Sequence, residues 1–429
     1  MLLIWYLNDP IEDNPNHTWT DYRENWQSTL TASLLHPEVW RYEIMPWPHR
    51  VFYGRYPTTM PARRRGGRVP IPGEYETELQ SVITALGDMK QPPEAVRWEV
   101  SGTQGVGVLV SDTMMFERGG PTASDPDLGS FYGLALPMLK RGVPIEPVQI
   151  ETAGQKGFLD QYKVLLLTYE GQKPPTAAFH QALADWVKAG GALVVVDDDG
   201  DGFNAVREWW NSAPMNYLSP RLHLFEQLGL KPDGAFPANV GRGCVIYDRT
   251  SPAALSHAPD GANHVRRLVQ QAAGQIGLPW VESNAMVLRR GPYIVAAAMD
   301  ESVPDAKPYT IHGKLVPLFD SRLPVMDSYE LNPGTRQLLL DLSKVPVGKV
   351  GVVAAACRVL SESVKGNSIE ICADGLEGSN AVMLIALPAA PKAISLNGRA
   401  VPADEFDYNN GILRLRFSNS AGGVDVEIN

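Results

Sequence analysis

Positive charge is in short supply in this 429-residue chain: 38 Lys and Arg stand against 48 Asp and Glu, a formal net charge of −10. Such a balance argues against nucleic acid as a partner, because a phosphate backbone is bound through a local surplus of cations. The one basic run, Arg63, Arg64, Arg65 and Arg68, lies among Gly and Pro and reads as a solvated loop. Cysteine is scarcer still. Cys244, Cys357 and Cys372 lack metal-ligand spacing, and three thiols cannot all pair within one chain, so no disulfide framework is implied. Neither a cofactor nor a metal is expected. No apolar run reaches the length of a membrane span. Residues 1–7 (MLLIWYL) are apolar but short, without a basic lead or a small-residue cleavage site, and do not read as a signal peptide. The expectation is no membrane partner, and a cytoplasmic protein if the chain is complete.

What the sequence does have is a length suited to two or three domains and a hydrophobic fraction of 44%, ordinary for a globular protein. Residues 105–112 (GVGVLVSD), 162–168 (YKVLLLT) and 192–196 (ALVVV) are continuous apolar runs of buried-strand type. Between them, residues 131–140 (FYGLALPMLK) and 176–189 (TAAFHQALADWVKA) have helical spacing, the second with Phe179, Leu183, Trp186 and Val187 on one face. Residues 143–150 return to extended character. Apolar strands separated by helices predict a parallel sheet covered on both faces, a doubly wound α/β domain whose ligands sit beyond the strand carboxyl ends.

The first hundred residues predict two βα units: strands at 1–7 and 39–45, helices at 20–35 and 74–89, the first capped by Thr20 or Asp21. Two such units cannot close a sheet alone: either they pack on the central domain or they are the tail of a larger β/α barrel, and the start of the chain on a strand favours the second. Trp5, Trp19, Trp26, Trp40 and Trp47 fall here, with carboxylates just after each strand: Asp9, Glu12 and Asp13, then Glu43. Strand carboxyl ends hold the active site of such barrels, and aromatic faces beside paired carboxylates suit a sugar and its glycosidic bond. The candidate catalytic residues are therefore Glu43, Asp9 and Glu12. Candidate substrate contacts are Asp13, His17, Trp47, His49 and Arg50, and the expected partner is carbohydrate.

After a helix at 262–276, the pattern changes to short strands, at 285–290, 293–299, 338–342, 350–359, 381–387 and 412–417, with Asn410-Gly411 as a hairpin turn. The expected fold class is α/β plus all-β: a partial β/α-barrel end at 1–98, a doubly wound α/β domain at 99–280, and a β domain, an antiparallel β-sandwich, at 281–429.

This order, with residues 162–198 (YKVLLLTYEGQKPPTAAFHQALADWVKAGGALVVVDD) and 39–54 (VWRYEIMPWPHRVFYG), resembles the carboxyl-terminal part of family 42 β-galactosidases. There a TIM barrel precedes a domain similar to class I glutamine amidotransferases and then a small β domain. The resemblance implies a carbohydrate-active hydrolase, incomplete as a catalyst by itself because the barrel strand supplying the acid/base is missing. It also implies homo-oligomers, since the middle domain makes subunit contacts in those enzymes. Amidotransferase activity is excluded because no cysteine falls within residues 105–210. The alternative is a non-catalytic carbohydrate-binding or oligomerisation module.

Asp197, Asp199, Asp201, Gly202 and Glu208 match a calcium-loop spacing. A strand precedes them where a calcium hand has a helix, which favours an acidic crevice loop capping a helix at 204–210. Asp112, Glu117 and Glu170 at neighbouring strand ends would make that crevice strongly acidic.

Overall fold

The computed structural model describes all residues except 1–4, 10–15, 45–47, 61–66, 115–127, 301, 302, 304, 346, 347, 366 and 367. The chain combines an α/β unit with several antiparallel sheets. It divides into two compact units, one of residues 1–99, 287–298 and 307–429, the other of residues 100–286 and 299–306.

In the second unit the sheet runs, edge to edge, Ala238–Val240, Gly243–Asp248, Ala192–Val196, Val164–Leu167, Val106–Val110, Ile145–Gln149. The last five strands are mutually parallel and the first is an antiparallel edge. Alternation along each strand sorts the side chains into two cores. Leu109, Leu165, Leu167, Leu193, Val195 and Val245 pack with Phe179, Leu183 and Val187 of helix Ala178–Lys188 and with Leu224 and Phe225 of helix Pro220–Leu228. Val108, Val164, Leu166, Val194 and Ile246 pack with Leu134 and Met138 of helix Gly129–Leu139 and with Val265 and Val269 of helix Gly261–Gln275. Both faces are covered, which is why the strands lack polar alternation. The helix expected at 204–210 is instead a single 3₁₀ turn, Gly202–Ala205.

In the first unit, helix Trp19–Leu34 presents Tyr22, Trp26, Leu30 and Leu34, four residues apart and all buried. Its cap is Thr18 rather than Thr20 or Asp21: the Thr18 hydroxyl accepts from the Asp21 N–H at 3.2 Å, and Asp21 Oδ2 accepts from the Thr18 N–H at 3.0 Å. Helix Gly73–Leu86 presents Tyr75, Leu79, Val82 and Leu86. Where the sequence suggested two barrel units, the parallel pairing of described residues is confined to Trp5–Asn8 beside Arg41–Ile44. The two helices share one core with Leu288, Val295, Val316, Leu338 and Leu340. Those residues belong to a six-stranded sheet ordered Met326–Leu331, Tyr309–Pro317, Arg336–Asp341, Tyr293–Ala298, Ala285–Arg290, Val96–Val100. Arg290, 1% exposed, closes the carboxyl end of the first helix. Its guanidinium donates to the carbonyls of Leu34, Val39 and Met89 at 3.0, 3.1 and 2.9 Å.

Apart from the short antiparallel pair Tyr56–Pro57 and Arg68–Val69, the remaining described strands form a sandwich. One sheet is Gly351–Ala355, Asn380–Ala386, Ile412–Ser418, Phe406–Asn409; the other is Arg358–Lys365, Ser368–Asp374, Val424–Ile428, Ile394–Leu396, Arg399–Ala400. Met383, Leu413 and Leu415 of the first face Ile371, Val426 and Ile428 of the second. The Asn410-Gly411 turn sits between paired Asn409 and Ile412, with φ of 48° and 82°, the two positive values such a hairpin needs.

Candidate functional site

The described residues among the sequence-predicted site, Asp9, His17, Glu43, His49 and Arg50, lie in the first unit. Leu7 is opposite Glu43 in the parallel register, and Tyr6 is opposite Tyr42. Opposed residues share a face, so Leu7 (58% exposed) and exposed Glu43 lie on the solvent side. Tyr6 and Tyr42 lie on the other, their rings 6.0 Å apart and edge-on, with the Tyr42 hydroxyl 3.1 Å from Ser33 Oγ. Burial pushes the Tyr42 hydroxyl up to about 12.

Asp9 follows the first strand by one residue and forms an ion pair with Arg50, from helix Pro48–Phe52. A carboxylate held against a guanidinium is a fixed hydrogen-bond acceptor. Arg50 is itself anchored at its carbonyl, which accepts from the Tyr56 hydroxyl. Tyr56 is buried, and burial, followed by the neighbouring Tyr22, pushes its hydroxyl up to about 12, so it stays a donor. From Tyr56 an edge-on row continues to Tyr22 at 5.7 Å and on to His17 at 5.8 Å. His49 lies 5.3 Å from Tyr53, which is 66% exposed. The structure therefore joins Asp9 to Arg50, and His17 to the same cluster through two tyrosines. Glu43 and His49 are exposed nearby in sequence, without a described contact to Asp9. Glu12, Asp13 and Trp47 lie outside the described residues. Tyr22 and Tyr56 are the scaffold that sequence reasoning did not assign to the site; no periodicity links positions 9, 17, 22, 50 and 56.

The second unit gathers polar residues at its strand carboxyl ends. The strand order places Val106–Val110 between Ile145–Gln149 and Val164–Leu167, the topological switch where such sheets bind ligands. Here the chain's own loop occupies the strand end. Gln172, 1% exposed, accepts the Ser111 N–H at 2.8 Å and donates to the Leu109 and Thr168 carbonyls at 3.0 Å. The Ser111 and Thr113 hydroxyls both donate to the Lys173 carbonyl at 2.9 Å.

The acidic crevice expected from the sequence is neutralised from within. Asp199 accepts from Arg221 Nε at 3.0 Å and from Ser219 Oγ at 2.9 Å. Asp201 lies 3.2 Å from Lys173 Nζ and accepts the Phe203 N–H at 2.8 Å as cap of the 3₁₀ turn. Asp197 is buried and accepts the Tyr169 and Asp199 N–H groups; desolvation raises its carboxyl above the usual range. Glu170 accepts from Ser251 Oγ at 2.8 Å, while Glu117 lies outside the described residues. Of the carboxylates that match a calcium spacing, Asp197, Asp199 and Asp201 are thus committed to Arg221, Lys173 and main-chain donors, while Glu208 is exposed. Among the described residues no group of three or more His, Cys, Asp or Glu could hold a metal ion. Cys244 is buried within a sheet strand, its thiol raised by burial, and offers no nucleophile at a strand–helix elbow.

No family model matches the chain, and no curated protein does. Solved structures give distant likenesses. A GH31 dextranase from Flavobacterium johnsoniae, complexed with isomaltotriose, is 9% identical, with a TM-score of 0.20 over 99% of this chain and 66% of that one. A rhamnosidase from Novosphingobium sp. PP1Y is 11% identical, with a TM-score of 0.32 over 94% of this chain and 41% of that one. An alpha-L-fucosidase isoenzyme 2 from Paenibacillus thiaminolyticus is 10% identical, with a TM-score of 0.23 over 76% of this chain and 48% of that one. All three neighbours are glycoside hydrolases, and the chain spans between 41% and 66% of their lengths. Likeness of this degree carries no argument about chemistry, and it gives family 42 no specific support.

Proposed function

We propose that the chain acts on carbohydrate, as part of a glycoside hydrolase whose sugar site includes Asp9, Arg50 and Glu43. The observation that carries this reading is the Asp9–Arg50 pair, which sits one residue past a parallel strand whose neighbour presents Glu43 to solvent. Vicinal sugar hydroxyls need fixed acceptors and donors at hydrogen-bond spacing, and a carboxylate–guanidinium pair supplies both. The row Tyr56, Tyr22, His17 would border the sugar, and exposed Tyr53 beside His49 offers an apolar face. Glu12 and Asp13 are proposed as further carboxylates of the same site. A β-galactosidase specificity, a catalytic pair completed by barrel strands outside this chain, and homo-oligomer formation belong to the same proposal.

Turnover of an aryl glycoside panel, galactosides included, tests it. We expect turnover once the segment that completes the barrel is supplied, and expect it to fall at least 100-fold in Glu43→Gln or Asp9→Asn, with the melting temperature within a few degrees. Parent turnover unchanged in both variants would remove these residues from the site. A parent without turnover that is still retained on a glycan affinity gel would favour the non-catalytic module, a reading supported by the fact that Arg50 already occupies Asp9.

A further inference from the structure

A cavity of about 1060 Å³ lies in the first unit, at residues remote in sequence from Asp9, Arg50 and Glu43. It is bordered by the amino end of helix Gly73–Leu86, by both sheets of the sandwich, and by the turn carrying Arg322. We infer that this groove is a binding site for a neutral carbohydrate chain, separate from the proposed hydrolytic site. The inference shares the ligand class of the proposed function and is tested independently of it.

Charge sets the first limit on the ligand. Arg322, Arg399 and Arg416 face the groove together with Glu74, Glu377 and Glu405, so the lining has no net charge. An anionic ligand would meet three carboxylates, and a cationic one three guanidiniums. Shape and polarity set the second. Phe417 is the one aromatic residue of the lining and is 8% exposed, which leaves no open ring face for a nucleobase or a planar cofactor. What faces the space is amide, guanidinium, carboxylate and hydroxyl, with Leu396, Val401 and Pro402 as short apolar patches. A polyhydroxylated chain matches that mixture, since each sugar ring carries hydroxyls at its rim and CH groups on its faces. The volume exceeds that needed for a single small molecule, which favours an oligosaccharide segment.

Several of the polar groups are held in place before any ligand arrives. Arg416 Nη2 lies 2.8 Å from Asp407, which also holds Arg414 Nη2 at 2.9 Å. Arg322 is drawn back on Asp320 through Nε at 3.0 Å and Nη2 at 2.8 Å. The Asn419 amide nitrogen, on a side chain 2% exposed, lies 3.1 Å from Gln80 Oε1, the Ala356 carbonyl and Ser379 Oγ. Asn397 Oδ1 accepts the Asp425 N–H at 2.8 Å. Pre-positioning of this kind lowers the ordering cost of binding. Arg399 and Glu405 differ from these: neither has a side-chain partner among the described residues, so both remain available to ligand.

The test is affinity electrophoresis of the full chain through gels containing dextran, galactomannan or, as the acidic control, polygalacturonate. We expect retardation by at least one neutral polymer. The double variant Arg399→Ala/Glu405→Ala should weaken that retardation at least tenfold while leaving the melting temperature unchanged. The variant Glu43→Gln should be retarded like the parent, and any aryl glycoside turnover of the parent should survive in Arg399→Ala/Glu405→Ala. No retardation by either neutral polymer would overturn the inference, as would retardation by polygalacturonate alone or equal retardation of parent and double variant. Loss of retardation in Glu43→Gln instead would assign the glycan contact to the Asp9–Glu43 region.

Discussion

His180 and His223 face each other through their Nδ1 atoms, 2.8 Å apart, in the interior of the α/β unit. One nitrogen must donate and the other accept, so the pair holds a single proton between them. His180 Nε2 in turn lies 2.7 Å from the Tyr169 hydroxyl, and Trp209 stands edge-on to both imidazoles at 5.4 and 5.2 Å. Burial lowers both imidazoles, His180 well below its ordinary value of 6.5, with His223 as its second cause.

The sign of the pH effect follows from that depression. Below about pH 6.5 the unfolded chain takes up protons that the folded pair refuses, so stability falls as pH falls. We expect thermal melts to show the α/β unit losing stability between pH 7.5 and pH 5. His180→Gln should flatten that dependence, with protection of strand Val164–Leu167 in hydrogen exchange as the local probe. An unchanged slope in the variant would show that the pair does not govern it.

Glu78 should act in the opposite direction, in the other unit. It is wholly buried, and burial pushes its carboxyl up to about 7 against the lowering effect of Arg23, whose Nε lies 2.7 Å away. A raised folded-state value means that its contribution is complete below about pH 4.5 and is lost as pH rises through about 7. Glu78→Gln keeps the shape and removes the titration. Melts of the first unit should therefore converge for parent and variant at low pH, with the variant gaining on the parent between pH 5 and 8.

Arg290→Met should destabilise the first unit by roughly 3 kcal/mol or more, because charge-assisted hydrogen bonds to several buried carbonyls are lost together. Urea unfolding would read the change. A cost below about 1 kcal/mol would mean that water replaces the guanidinium at the end of helix Trp19–Leu34.

Asp199 has φ of 60°, a conformation Asn also tolerates, so Asp199→Asn isolates the loss of charge. Arg221, whose side chain is 5% exposed, would then be left buried without its carboxylate. We expect a loss of about 3 kcal/mol in the α/β unit, and no calcium-specific melting shift in the parent or in Asp199→Asn/Asp201→Asn. A calcium-specific shift present in the parent and absent from the double variant would restore the calcium-loop reading.

The sequence by itself determined the α/β sheet. Runs such as residues 164–167 and 192–196 are apolar throughout, and only a strand covered on both faces requires that. It also determined the Asn410-Gly411 hairpin, because few residue pairs accept two successive positive φ values. It proposed Asp9 and Arg50 for one site, and the fold pairs them, but it did not single out the tyrosines that join them to His17. Tertiary structure decided what long-range pairing alone can decide. The four-residue spacing of Tyr22, Trp26, Leu30 and Leu34 announces a buried face, yet nothing local says that its cover is a strand such as Arg336–Asp341, some 300 residues further on. The acidic run at 197–201 matches a calcium spacing but reads better as a crevice loop, and only the fold shows Arg221 and Lys173 arriving from other segments to neutralise it. Helical and strand periods are set by the backbone within a few residues, whereas the partner of a buried charge or an apolar face is set by packing across the fold.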